Sequence, residues 1–211
     1  MKSVVVVGKG PSVLDSSVEF ISQFDEVAFC NFPLVKGYEK YIGTKCDYMF
    51  FNARDINLYP NDILTGLELK TLYNTHYSPV PSNYLPQPLQ DLKIQYNDSF
   101  AKELRPSFMK QYDFDPSTGI MAFYAFVNAG YKKIGLVGFD FCEVGKKAYY
   151  YSVDEVQPSL RYLFGDNQPY SRDGTIQKES GHGSSERVKQ FVKTLAKDNN
   201  IEIITPSEGK I

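Results

Sequence analysis

Tryptophan is absent from the sequence, histidine occurs twice, at His76 and His182, and cysteine three times, at Cys30, Cys46 and Cys142. The cysteines lie far apart and form no Cys-x-x-Cys pair. That spacing disfavours both a disulfide framework and a structural zinc site, and suits a reducing compartment. With two imidazoles in the chain, imidazole chemistry has only two candidates. No apolar run approaches the roughly 20 residues that span a bilayer, and the N-terminus lacks a charged, apolar, small-residue leader pattern. A cytoplasmic location is expected, with peripheral contact at the inner membrane face as its variant. Charge of one sign is missing too: 23 Lys and Arg against 25 Asp and Glu give a net charge of -2, no general footprint for nucleic acid. What is present is an ordinary globular composition, 42% hydrophobic and 23% charged, with 16 Tyr and 15 Phe in 211 residues. A single domain over residues 1–211 is expected.

Ser3 to Val7 is a run of valines after one serine, the pattern of a strand buried on both faces. It ends in Gly8-Lys9-Gly10-Pro11-Ser12, and Val13, Leu14, Val18, Ile21 and Phe24 then predict an amphipathic helix with Ser12 as its cap. Further strands are expected at Glu26 to Cys30, ending at Asn31, at Asp47 to Phe51, ending at Asn52, and at Leu69 to Tyr73. Residues 78–116 lose the pattern, with a weak helical signal from Ser99 to Met109. Order returns at Pro116-Ser117-Thr118-Gly119, followed by a helix through Ile120, Phe123, Tyr124, Phe126 and Val127 that closes at Gly130. A strand from Ile134 to Val137 ends in Gly138-Phe139-Asp140. Residues 143–181 again lack a period and carry Tyr149, Tyr150, Tyr151, Tyr162 and Tyr170. The last unit is a helix through Val188, Phe191, Val192, Leu195 and Ala196 and a strand from Ile201 to Ile204. Strands alternating with helices predict a Rossmann-like α/β/α domain on a mostly parallel sheet. Ligands bind such sheets beyond the carboxyl ends of the strands, and the two irregular stretches read as lid or acceptor loops.

Each candidate at those strand ends has a functional and a plain reading. The Gly8 to Ser12 turn lets backbone amides approach a phosphate, or serves packing alone. It does not fit a dinucleotide fingerprint, since Val13 stands where the third glycine belongs and Asn31 ends the second strand in place of an acid; a Walker lysine motif is also missing. Asn31 and Asn52 can read a sugar, phosphate or base edge, or simply make turns. Ser117, Thr118 and Gly119 form a helix start that binds an anion or merely caps. His182, flanked by Gly181 and Gly183, reads as a general base kept neutral by the positive end of the following helix, or as a solvated loop residue. Glu186 is placed to orient that loop or the substrate, while His76 reads as loop surface. Asp113-Phe114-Asp115 has the spacing of a metal-diphosphate motif but follows a polar loop in place of an apolar strand. The tyrosines at 149–151 offer hydroxyls to a departing phosphate, or pack a lid.

As an ordered set these segments resemble the sialyltransferases. Val5 to Ser12, Phe24 to Asn31 and Gly43 to Asp47 are similar to the nucleotide-binding region of the small bacterial enzymes and to the large sialyl motif of the animal-type enzymes. Pro116 to Gly119, Gly130 to Ile134 and Gly138 to Phe141 resemble the small sialyl motif; Gly181-His182 and Glu186 resemble the late histidine and its acid, one residue closer than the animal spacing. The resemblance implies a metal-independent, inverting GT-A variant that needs no cofactor and uses CMP-N-acetylneuraminic acid as donor and a glycan as acceptor, in bacterial glycan biosynthesis. It implies His182 as base and Asn31 and Asn52 on CMP. Ser117, Thr118 and Gly119 would meet the donor carboxylate and nucleotide, and Gly138, Phe139 and Asp140 would line the cytidine pocket, beside the turn of Gly8, Lys9, Gly10 and Ser12. Three departures stand out. Lys9 replaces an asparagine, Cys142 replaces a phosphate-binding tyrosine whose role then falls to Tyr149 or Tyr150, and Asp115 replaces an arginine. The chain is short for the family, so a reduced acceptor region is expected; the acceptor is a galactose-containing or sialylated glycan, and a lipid-linked one would bring membrane contact. The alternatives are transfer of another CMP-activated nonulosonic acid or Kdo, a motility-accessory-factor-like flagellin glycosylation enzyme, a metal-dependent transferase using Asp113 and Asp115, and a nucleotide- or glycan-binding module without catalysis.

Overall fold

A computed structural model describes residues 2–98, 100–153, 163–179 and 182–207. The valine run forms β1 (Ser3–Val7), buried at all five positions. A strand covered on both faces has no polar side to present, and each such side chain contributes about 1.5–3 kcal/mol by leaving water. The expected helix after it is instead two short pieces, a 3-10 turn at Pro11–Asp15 and α1 (Val18–Ile21). The reason is local: Pro11 starts the first turn, and the Ser17 hydroxyl, accepting from the Phe20 amide, starts the second. Leu14 and Val18, expected on the buried face, are 44% and 37% exposed. The chain continues through β2 (Glu26–Cys30), α2 (Glu39–Ile42), β3 (Lys45–Phe51), α3 (Asn61–Leu64) and β4 (Glu68–Asn74).

The stretch 78–116 is more regular than its sequence suggests. It contains α4 (Gln87–Gln90), β5 (Gln95–Asn97) and α5 (Phe100–Tyr112). α5 buries only Ala101, Arg105 and Phe108 and carries Pro106 inside it, which is why its apolar stripe is hard to see. Then follow α6 (Thr118–Asn128), β6 (Lys133–Val137), α7 (Ser185–Asp198) and β7 (Glu202–Ile204). Between β6 and α7 the chain ties itself with isolated bridges, Lys147 to Thr175 and Tyr170 to both Phe164 and Ile176. Tyr162 and Gly181, singled out in the sequence, lie outside the described residues.

The sheet order is β5-β4-β3-β2-β1-β6-β7, and every neighbouring pair is parallel. Val5 and Val7 pack with Ile21, Ile42, Ile63 and Leu89 on the face of α1–α4, whereas Val4 and Val6 pack with Phe108, Phe123 and Phe191 on the face of α5–α7. The chain therefore winds outward from β1 on one face and returns past β1 on the other. That reversal makes the β1/β6 junction the topological switch point, where α/β sheets of this kind hold ligands. Among the described residues no helix is long and apolar enough to cross a membrane.

Candidate active site

The loops leaving β1 and β6 meet at the switch point. The Gly8 amide donates to the Val137 carbonyl at 2.7 Å and the Gly10 amide to the Gly138 carbonyl at 3.0 Å. Ser12 gives both its amide, at 3.0 Å, and its hydroxyl, at 2.8 Å, to one carboxylate oxygen of Asp140. A Cβ on Gly10 would lie 2.0 Å from that oxygen, and Gly138 sits at φ +68°, so neither place accommodates a side chain. This corrects two expectations. Ser12 does not cap a helix, and the amides of Gly8, Gly10 and Ser12 do not stand ready for a phosphate. The β6 loop folds onto the turn, and Asp140 supplies the negative group that the turn would otherwise take from a ligand.

Beside that turn, Asn31 ends β2 at φ 57° and Phe32 follows at φ 43°, left-handed conformations that cost energy in a non-glycine residue. The Asn31 side-chain oxygen accepts from the Asn52 amide at 3.0 Å and from the Thr118 hydroxyl at 3.5 Å. Its orientation is thereby fixed, with Oδ1 occupied by these two donors and Nδ2 at the donor end of the carboxamide. The Lys9 ammonium donates to the Asn31 carbonyl at 3.2 Å and to Tyr59 at 3.4 Å. It also lies 5.0 Å from the Tyr149 ring centroid and 5.9 Å from that of Tyr151, within cation–π reach.

The two tyrosines expected to act on the phosphate differ. Tyr150 is 7% exposed, and its hydroxyl donates to the Leu34 carbonyl at 2.6 Å while its amide donates to the Lys9 carbonyl. It fastens the segment after β6 to Leu34 and Lys9 and has no hydroxyl proton to spare for a phosphate. Tyr149 stacks on Tyr151 beside Lys9. Burial raises both phenols well above their ordinary pKa, which keeps them neutral O–H groups. Cys142 lies in the same region, after Phe141.

Helix α6 begins at this rim. The Ser117 side chain accepts from the Ile120 amide, Thr118 bridges Asn31 and Thr75, and Gly119 lies under the Phe139 ring. Cys30 sits beneath Gly119; burial pushes its thiol up to about 12, against the pull of Lys9, so that floor is uncharged. Helix α7, which also precedes a strand of the parallel sheet, starts at the same end, with Ser184 accepting from the Arg187 amide. His182 stands just before it. Its Nδ1 is 3.1 Å from the Asp115 carbonyl and 3.7 Å from Oδ2 of the Asp115 carboxylate. A carbonyl only accepts, so this contact is a hydrogen bond in the form that carries a proton on Nδ1.

Asp115 in turn pairs with Arg105 and accepts from the Tyr77 hydroxyl at 2.9 Å, while Arg105 donates to the Thr75 carbonyl at 3.0 Å. A chain of contacts thus runs from His182 through Asp115, Arg105, Thr75 and Thr118 to Asn31. Thr75, Arg105, Tyr59 and Tyr77 escaped the sequence reading. Thr75 was within its reach, because it follows β4 as Asn31 and Asn52 follow β2 and β3. Glu186 is exposed in the first turn of α7, and His76 is a loop residue whose Nδ1 accepts from the Ser78 amide. Asp113 faces Arg187 at 3.8 Å and Asp115 faces Arg105, so the two carboxylates do not converge on one point. Among the described residues no group of three or more His, Cys, Asp or Glu side chains is placed to hold a metal ion. A cavity of about 710 Å³ opens beside the segment that follows β6, lined by Leu14, Tyr38, Tyr149, Tyr150, Phe164 and Arg172 among others.

A wholly parallel sheet with its polar loops gathered at the β1/β6 switch point defines a Rossmann-like fold of the GT-A type. No protein-family model and no curated protein sequence matches the chain. Solved structures do. The sialyltransferase CstII from Campylobacter jejuni, in complex with the substrate analogue CMP-3FNeuAc, superposes with a TM-score of 0.59 at 19% identity, over 97% of this chain and 81% of that one. The monofunctional alpha-2,3-sialyltransferase Cst-I from the same organism gives a TM-score of 0.63 at 18% identity, over 100% of this chain and 78% of that one. CstII in complex with a trisaccharide acceptor and CMP gives 0.57 at 19% identity, over 97% and 80%. At these identities the likeness is one of fold.

Proposed function

We propose that the protein is an inverting, metal-independent glycosyltransferase that moves sialic acid from CMP-N-acetylneuraminic acid to a glycan hydroxyl. The observation that carries the reading is the placement of His182, whose Nδ1 lies 3.1 Å from the Asp115 carbonyl. With Nδ1–H on that carbonyl, Nε2 serves as the base, linked through Asp115, Arg105 and Thr75 to the rim where Asn31, Asn52 and Thr118 meet. In the reaction the acceptor hydroxyl gives its proton to Nε2 as its oxygen attacks the anomeric carbon. The bond from that carbon to the phosphate oxygen breaks, and CMP leaves with the electron pair. The transition state is oxocarbenium-like, so positioning and stabilisation of the leaving phosphate supply the rate. Asn31 and Asn52 hold the CMP portion. Ser117, Thr118 and Gly119 meet the donor carboxylate at the positive start of α6. Gly138 and Phe139 line the cytidine pocket, while Gly8, Gly10, Ser12 and Asp140 shape it, and Lys9 with Tyr149 lies nearest the leaving group. The acceptor glycan enters from the cavity beside the lid, whose aromatic lining suits sugar faces.

The test is release of CMP from CMP-N-acetylneuraminic acid, side by side with CMP-Kdo and other CMP-nonulosonic acids, in a mixture of galactosylated and sialylated acceptors. The first donor is expected to turn over fastest. His182→Ala should lower kcat by about 10²–10⁴-fold and leave CMP affinity within about twofold, whereas Asn31→Ala should weaken CMP binding by about 1–3 kcal/mol. CMP binding without release from any donor would replace the enzyme with a binding module.

A further inference from the structure

Resting on that reading, we propose that Asp115 and Arg105 are positioning residues for His182, with Tyr77 as their brace, so that the base is oriented by the ion pair of a buried arginine with a partly exposed aspartate. Arg105 comes from the middle of α5 and is 7% exposed. A guanidinium that deep is costly unless its donors are answered. Here Nε donates to Oδ1 of Asp115 at 3.0 Å, Nη1 to the Thr75 carbonyl at 3.0 Å, and Nη2 to the Pro116 carbonyl at 3.1 Å as well as to Asp115. The Tyr77 ring lies against the guanidinium, 4.4 Å from its central carbon, and its hydroxyl donates to the same Oδ1. Oδ1 is therefore saturated by donors, and Oδ2 is the oxygen that faces the imidazole.

The same clamp holds the Pro116 carbonyl, the next carbonyl along the backbone from the Asp115 carbonyl that faces Nδ1. One other charge near this turn is engaged elsewhere. From α7, Arg187 donates to the Tyr112 and Asp113 carbonyls and lies near the Asp113 carboxylate. A carboxylate and a carbonyl together on Nδ1 favour one tautomer and support the imidazolium that forms when Nε2 takes the proton. An ion pair that only stapled α5 to the turn would need no oxygen facing the ring.

The experiment reads the tautomer and the rate in the full-length protein. Long-range nitrogen–proton correlation spectra resolve two imidazoles, and His76→Ala assigns them. The wild type is expected to show His182 protonated at Nδ1. In Asp115→Asn, Oδ1 still serves Arg105 and Tyr77, but an amide donor now faces Nδ1. The Nε2–H form should therefore rise, with kcat for CMP release falling about tenfold to a hundredfold and donor KM holding within about twofold. Tyr77→Phe, at a half-exposed position, should move both readouts the same way by less, and it decides the matter if Asp115→Asn does not fold. An unchanged tautomer with unchanged kcat in the folded variants overturns the positioning role and leaves the transferase reading standing. If no CMP-sugar turns over in the wild type, the transferase reading fails, and the tautomer shift alone decides for or against the positioning role.

Discussion

Single atoms decide the shape of the rim. Gly10 is the plainest case, because a Cβ there meets a carboxylate oxygen that already holds Ser12 by two hydrogen bonds. Gly10→Ala forces Asp140 to swing away and leaves the Ser12 amide unanswered. The expected loss is about 1–3 kcal/mol, the range for overpacking and for an unsatisfied polar group. The double variant Gly10→Ala/Asp140→Ala removes the carboxylate clash but leaves the new Cβ 2.8 Å from the Gly138 carbonyl oxygen, so it should be less stable than Asp140→Ala alone yet lose less than the sum of the two single losses. Urea unfolding of the four proteins gives the coupling directly, and strictly additive losses would show that the two loops do not constrain each other. Asn31 is the complementary case, a side chain that takes an unfavourable backbone conformation and holds two neighbours through one oxygen.

At the scale of elements, α6 and α7 each begin with a serine cap at the same end of the sheet, and the cap on α6 lies where the donor's anionic groups are proposed to sit. Ser117→Ala should cost about 0.5–2 kcal/mol in stability, while Ser117→Asp caps equally well and should recover it. The added carboxylate, however, repels the donor's own negative groups, so affinity for the CMP-sugar should fall severalfold in the aspartate variant. Melting temperature and titration calorimetry separate the two effects; wild-type affinity in Ser117→Asp would place the donor away from α6.

Elements also explain what could be read from the sequence. β1 and β6 stood out because strands buried on both faces are nearly unbroken apolar runs, and Ser117-Thr118 marked α6 because capping chemistry is local. β5, only Gln95–Asn97, did not stand out, and the polar α5 showed only as a weak helical signal from Ser99 to Met109, since edge position and a narrow buried stripe blur both periodicities. The strand-end rule located Asn31, Asn52 and Gly138. It could not find Arg105, whose place beside His182 depends on how α5 packs and not on any motif.

Across the whole molecule the two ends of the sheet are built for opposite purposes. The C-terminal rim is open and polar with left-handed residues. The other end is sealed by Glu26, whose carboxylate accepts from the Tyr48 hydroxyl at 2.8 Å and from the Tyr131 hydroxyl and pairs with Lys2 at 2.7 Å. One side chain thus ties β2 to β3, to the residue before β1 and to the turn before β6. Burial pushes the Glu26 carboxyl pKa up, but the hydrogen bonds from Lys2, Tyr131 and Tyr48 together outweigh it and hold the group below its usual range. A carboxylate depressed in the folded state stabilises fully above its unfolded value, about 4.3, and loses that contribution as pH falls through the folded value. Wild type should therefore exceed Glu26→Gln in stability at about pH 7, and the gap should shrink steadily below about pH 4.5. Urea midpoints from about pH 7 down to about pH 3 measure it, and a gap constant over that range would mean that packing, and not charge, does the sealing. CMP affinity at neutral pH should be the same in both proteins, because the cluster and the rim occupy opposite ends of the strands.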